Sequence, residues 1–214
     1  MMARLSPDNT LLPHRLRQGY LALLNPAVAF FARHKIHPNV FTILSFLFGC
    51  TGGALMASGL IRLASVIFLL SGILDNIDGN LARKRELVTR FGALFDSTLD
   101  RYSETLYFLG IAFYFTRIGG FLTAAVTTVG MIGSLMVSYV RARAEGLGYT
   151  CNVGFIQRPE RVVLLGLCGL IHRNALIVAL WIIAILSNAT AIQRIIHVWK
   201  SDLKHAGPPK DGKE

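Results

Sequence analysis

The chain is divided into apolar runs about as long as a lipid bilayer is thick, and that spacing restricts its fold more than any other feature. A helix crosses hydrocarbon in about 20 residues. Within lipid, only helices and closed barrels satisfy their backbone polar groups. The first such run covers residues 40–60, bounded by His37-Pro38 and Arg62. A second starts at Leu63, is apolar to Leu74, and continues as the charged stretch 75–83. A third covers 91–116 and carries Asp96, Asp100, Arg101 and Glu104 in its first half. The fourth covers 119–140 and the sixth 175–199. The fifth, 161–171, is short unless it borrows residues 153–160 or is broken near Pro159. The spacing predicts an all-α polytopic membrane protein with six transmembrane helices. A mean hydropathy of +0.50 and a charged fraction of 16% agree, since a soluble domain carries about 25% charged residues.

Ahead of the first run, Leu21, Leu24, Val28 and Phe31 recur at helical spacing among basic residues within 12–35. This predicts an amphipathic helix lying in the membrane interface, kinked at Pro26. Residues 1–20 are polar and basic with no apolar core before a cleavage site, so insertion is expected to be directed by the spans themselves. The expected organisation is an N-terminal cytoplasmic segment at 1–39, a six-helix membrane domain at 40–200 and a disordered cytoplasmic tail at 201–214. Only Arg62, Arg117 and Arg173 of 22 Lys and Arg fall in the loops on one side. By the positive-inside rule both termini face the cytoplasm, in bacterial terms from the inner membrane. The net charge of +10 does not imply nucleic acid, because the basic residues punctuate apolar runs rather than form a stripe. Cys50, Cys151 and Cys168 contain no CxxC pair, so neither a disulfide framework nor a zinc site is expected.

The chemistry is concentrated in residues 75–100. Asp75 and Asp78 are three apart and Asp96 and Asp100 four apart, so each pair shares a helix face. Two antiparallel helices joined by the short loop 84–90 would bring both pairs together at the cytoplasmic ends of the second and third spans. Four carboxylates at that depth call for a bound dication or two, and oxygen ligands in this number suit Mg2+ or Mn2+. Ionisable residues inside a membrane mark function by default. Gly79, Ala82 and Gly92 are small enough to let a backbone or a bulky ligand approach closely, and Arg83 is placed to pair with a phosphate. Helix-end capping would explain one such aspartate but not four.

Residues 75–100 read D-x2-D-G-x2-A-R-x8-G-x3-D-x3-D without departure. This resembles the signature of the CDP-alcohol phosphotransferases, and the six-span layout with its N-terminal interfacial helix is similar to that family as well. The resemblance implies a two-metal centre held by Asp75, Asp78 and Asp96, with Asp100 close by as general base. It implies that Asp78, Gly79, Ala82 and Arg83 line the site for a CDP-linked lipid, CDP-diacylglycerol. Pro38-Asn39-Val40-Phe41-Thr42 looks like the family segment whose Asn and Thr lie near the nucleotide, which adds Asn39 and Thr42. A homodimer is implied too.

Further on, Arg143, Arg158, Arg161 and Arg194 are expected on the same side as the carboxylates. Guanidinium forks recognise phosphate bidentately, so a second, phosphorylated substrate is indicated. The positive-inside rule alone would also place arginines there, but Arg194 interrupts an apolar helix. The stretches 138–145, 157–161 and 193–199 resemble the branch of the family that uses inositol phosphate as acceptor. By position this implies Ser138, Arg143, Arg158, Arg161 and Arg194 as its phosphate ligands. Arg141 stands where Lys is usual, and Gln157 replaces an acidic residue. The expected reaction is metal-dependent transfer of a phosphatidyl group from CDP-diacylglycerol to a phosphorylated alcohol, myo-inositol phosphate, with release of CMP. Glycerol 3-phosphate and serine are the alternative acceptors. A membrane transporter is the alternative of another class, against which stands the lack of an inverted repeat.

Overall fold

The computed structural model describes residues 14–205, with side chains from 24 to 203. Among them the chain forms seven helices and no strand: α1 (His14–Arg33), α2 (Pro38–Ala57), α3 (Ile61–Lys84), α4 (Arg90–Arg117), α5 (Phe121–Gly146), α6 (Arg158–Ile171) and α7 (Arg173–His205). Three of them are long and apolar enough to cross a membrane: Pro38–Ala57, Phe121–Gly146 and Arg173–Leu203. The polar residues that follow Leu74 and precede Tyr107 dilute α3 and α4, though both exceed 20 residues. Large apolar side chains such as Leu47, Phe113, Ile132 and Ile185 are exposed on α2, α4, α5 and α7. An apolar periphery of this kind is what a lipid-solvated bundle presents.

Turn chemistry sets the boundaries. Pro38 opens α2 behind His37, whose Nδ1 accepts from the Asn39 N–H at 3.2 Å. Thr89 caps α4 by accepting from the Gly92 N–H at 2.9 Å. α6 has 14 residues, about 21 Å of helix, which is short of a 30 Å hydrocarbon core. Pro159 sits in its first turn, where a missing N–H costs nothing, so it starts the helix and breaks no longer one. The irregular stretch before α6 is tied to α7, as the Phe155 and Ile156 N–H groups both donate to Thr190 Oγ1 at 3.1 and 3.3 Å. Gly154 has φ +153, and a Cβ there would lie 2.7 Å from Thr190 Cγ2. α7 runs on to His205, past the start of the tail expected at residue 201, and Tyr149 Oη donates to Asp202 beyond the apolar part of that helix. Residues 1–13 and 206–214 lie outside the described part, as do the first residues of the expected amphipathic helix.

α2 packs against both α3 and α4, and α5 against α7, while α6 bridges α3 and α7. The main core joins Phe68, Tyr107, Phe108 and Ile111 to Leu165, Leu176, Leu180 and Ile183, with Phe68 stacked on Tyr107 at 3.8 Å. A smaller cluster of Leu24, Val28, Phe41, Ile77 and Leu81 seats α1 on α2 and α3. Part of the apolar face of α1 is therefore spent on the bundle itself. The carboxylate-bearing helices come together through α2, a tighter route than the loop at 84–90 suggests. A Cβ on Gly110 would lie 2.2 Å from Gly53 O, and one on Gly53 would lie 2.6 Å from Leu106 O. Backbone meets backbone at this crossing, the small-residue packing that lipid-embedded helices use. Gly110→Val is expected to destabilise the fold by about 3 kcal/mol or more, since backbone cannot repack around the added atoms. Thermal unfolding in detergent would show it, with Gly146→Ala, whose Cβ meets nothing within 4 Å, as the neutral control.

Candidate metal centre and adjoining cleft

Asp75 and Asp78 sit in the last part of α3 and Asp96 in the first part of α4. One carboxylate oxygen from each lies within 4.8 Å of the other two. Asp78 is only 4% exposed, and its Oδ2 and the Oδ1 of Asp96 are buried without a hydrogen-bond partner. A buried carboxylate oxygen with no donor is costly. These orphaned oxygens, all hard ligands, fit a divalent cation of the Mg2+ or Mn2+ type. Asp75 is not orphaned, because its Oδ2 accepts from Arg158 Nη1 at 3.0 Å. Asp100, one turn past Asp96, stands outside that trio. Its Oδ2 accepts from the same Nη1 of Arg158 at 2.5 Å.

The other residues expected near the donor lipid lie on α2 and α3. Thr42 is buried on α2 with its side chain within reach of Asp78, and Asn39 lies one turn earlier. Ala82 and Arg83 follow on α3. Arg83 Nη2 donates to Asn80 Oδ1 at 3.1 Å and is exposed. A Cβ on Gly79 would lie 3.6 Å from that guanidinium, an ordinary van der Waals contact, so the glycine relieves no clash there.

A cleft of about 390 Å3 adjoins the carboxylates, lined among others by Asp100, Ser138, Arg158 and Arg194. Arg194 is 2% exposed and does not snorkel to the surface. Its Nε donates to Val153 O at 2.8 Å and its Nη1 to Val137 O at 2.5 Å, which fixes the guanidinium plane against the cleft wall. The structure thus brings Ser138, Arg158 and Arg194 together beside Asp100. It places the other two expected phosphate ligands elsewhere. Arg143 is exposed on the last turn of α5 and is absent from the cleft lining. Arg161 is fully buried, with Nε and Nη2 on the two oxygens of Glu104 at 2.7 and 2.9 Å.

Residues not assigned from the sequence complete the lining. Arg141 is paired with Glu145 at 2.8 Å, Arg101 donates to Ser97 O, and Gln157 stands just before Arg158. Their signal was position alone: Ser97 and Arg101 each follow an aspartate of the motif, and Arg141 lies one turn past Ser138.

A carboxylate trio with orphaned buried oxygens, beside a cationic cleft on a helical bundle with an apolar periphery, is an arrangement suited to holding a divalent cation next to phosphate. The chain belongs to the CDP-alcohol phosphatidyltransferase family, whose profile matches residues 35–200, and it is a transferase of that class. It is 40% identical over 172 residues to an archaetidylinositol phosphate synthase of Methanothermobacter thermautotrophicus, covering 78% of this chain and 86% of that protein. Among solved structures it resembles the phosphatidylinositol phosphate synthase of Mycobacterium tuberculosis with CDP-DAG bound. The TM-score is 0.75 and the identity 30%, over 81% of this chain and 92% of that one. The same enzyme in complex with manganese and citrate aligns at a TM-score of 0.73 and 30% identity, over 81% of this chain and 88% of that one.

Proposed function

We propose that this enzyme transfers the phosphatidyl group of CDP-diacylglycerol to myo-inositol phosphate, giving phosphatidylinositol phosphate and CMP. The observation that carries the reading is the cleft in which Asp100 faces Ser138, Arg158 and Arg194 directly beside the Asp75–Asp78–Asp96 trio. The names of the relatives favour inositol phosphate over glycerol 3-phosphate or serine. Helices α2 to α7 are read as six membrane spans, with α1 at the interface and both termini and the site on the cytoplasmic face of the inner membrane. A homodimer is part of the same reading.

Each residue then has a task. Asp75, Asp78 and Asp96 would hold two divalent cations, Mg2+ or Mn2+, and these would supply charge neutralisation at the donor pyrophosphate. Asn39, Thr42, Gly79, Ala82 and Arg83 border the space for the cytidine and pyrophosphate of the donor. The remaining donors of Arg194, with Arg158 and Ser138, orient the acceptor by its phosphate. Asp100 takes the proton of the acceptor hydroxyl as its oxygen bonds to the lipid-side phosphorus, and the P–O bond to CMP breaks. Holding the hydroxyl and the phosphorus together lowers the entropic part of the barrier.

Arg194→Ala is expected to raise the KM for inositol phosphate by roughly tenfold to a hundredfold, the range of a lost charged hydrogen bond. The KM for CDP-diacylglycerol should stay within about twofold. Equal rises in both would remove Arg194 from the acceptor site.

A further inference from the structure

Glu104 lies outside the D-x2-D motif, one turn beyond Asp100 on α4. Asp96, Asp100 and Glu104 recur every fourth residue and so share one face of that helix. Opposite them, α6 presents Arg158 and Arg161, three residues apart. The two rows interlock: Arg158 Nη1 donates to Asp100 Oδ2 at 2.5 Å, and Arg161 grips both oxygens of Glu104 at 2.7 and 2.9 Å. Arg161 is 0% exposed and Glu104 4% exposed, so water cannot replace either partner.

We propose that Glu104 is a positioning residue for the acceptor site, holding Arg161 so that Arg158 stays between the carboxylates and the cleft. Arg158 is the first residue of α6 and Arg161 lies one turn later. The chain before Arg158 is irregular, so the first turn of α6 has helical support on one side only. Within that turn, Glu160 accepts from the Gln157 N–H at 2.9 Å, which holds the turn together but does not orient it against α4. The fork-to-fork pair of Arg161 with Glu104 does orient it, because two parallel hydrogen bonds fix direction as well as distance. Glu104 has a second effect. Without its charge, buried Arg161 has no counterion, and the nearest carboxylate in the α4 row is Asp100, which Arg158 already uses. Arg161 would then compete with Arg158 for Asp100 and disturb the guanidinium that faces the acceptor.

The proposal rests on reading the cleft as the acceptor site. Its test is steady-state kinetics of the full-length enzyme in lipid nanodiscs with Mn2+, CDP-diacylglycerol and myo-inositol phosphate. Glu104→Gln is expected to raise the acceptor KM about tenfold, within the coupling expected of contacting residues, and to leave the CDP-diacylglycerol KM within about twofold. The double variant Glu104→Gln/Arg161→Gln carries no buried charge and pairs two amides, so it should recover the acceptor KM to within about threefold of wild type. Glu104→Asp keeps the charge at shorter reach and should fall between wild type and Glu104→Gln. It supplies the comparison if Glu104→Gln does not fold. Three results would overturn the proposal: equal changes in both KM values, a lowered Tm with unchanged kinetics, or a double variant no better than Glu104→Gln. The last would mean that Arg161 touches the acceptor directly. If Arg194→Ala leaves the acceptor KM unchanged, the acceptor reading fails and the role of Glu104 falls with it. A raised KM in Arg194→Ala beside a failed rescue sinks the role of Glu104 alone.

Discussion

Replacing Asp100 with Asn is expected to lower kcat by about 10³-fold, the usual worth of a positioned general base. The substitution is nearly isosteric. Asn keeps an oxygen to accept from Arg158, whose Nη1 lies 2.5 Å from Asp100 Oδ2, so the tie between α4 and α6 persists. The lost property is the ability to take a proton. Mn2+ affinity should fall by no more than about 100-fold, the range for residues that only support a ligand, since the three oxygens that converge within 4.8 Å come from Asp75, Asp78 and Asp96. Single-turnover CMP release, together with Mn2+ titration by electron paramagnetic resonance, separates the two roles. A variant that loses Mn2+ in proportion to its activity makes Asp100 a ligand. One that keeps full activity removes it from the chemistry.

Asp78→Ala should have the opposite signature. Asp78 Oδ2 is buried with no hydrogen-bond partner, so removing the carboxylate takes away a ligand and a source of repulsion at once. Mn2+ affinity is expected to fall by more than about 100-fold, beyond the range for residues that only support a ligand, and turnover with it. Without metal the variant should be no less stable than wild type, because an uncompensated buried charge is lost. With Mn2+ at about 100 times Kd the wild-type enzyme should gain roughly 2.7 kcal/mol and the variant nothing. Thermal unfolding with and without Mn2+ reads both. A variant that gains as much as wild type would show that Asp78 does not hold the cation.

The span lengths were legible in the sequence because lipid imposes them. A helix without water must run long enough to satisfy its own backbone, and α2, α5 and α7 follow the apolar runs to within a few residues at most of their ends. α6 was harder to place. Its start is decided by Pro159 and the bond from Gln157 to Glu160, which hydropathy does not see. The overrun of α7 past residue 200 was equally hidden, since residues 201–205 are polar apart from Leu203 and gain their helix from continuity with the preceding turns.

At the site, local spacing carried the aspartates: Asp75 and Asp78, then Asp96 and Asp100, share helix faces whatever the tertiary fold does. The arginines were a different matter, because their partners are distant in sequence. Arg161 pairs with Glu104 across 57 residues, and nothing local distinguishes it from Arg158, three residues earlier, which lines the cleft. The same distance concealed the part α2 plays, since the contact of Gly53 with Gly110 depends on the relative register of two helices.

The most direct measurement supplies the purified enzyme with CDP-diacylglycerol and, in turn, myo-inositol phosphate, glycerol 3-phosphate, serine and free inositol, each with and without Mg2+ or Mn2+. CMP release and phosphatidylinositol phosphate are expected with inositol phosphate, to depend wholly on the dication, and to exceed the other three acceptors in kcat/KM. Preferential product with glycerol 3-phosphate or serine would contradict the acceptor, and CMP released at the same rate after chelation would contradict the metal centre.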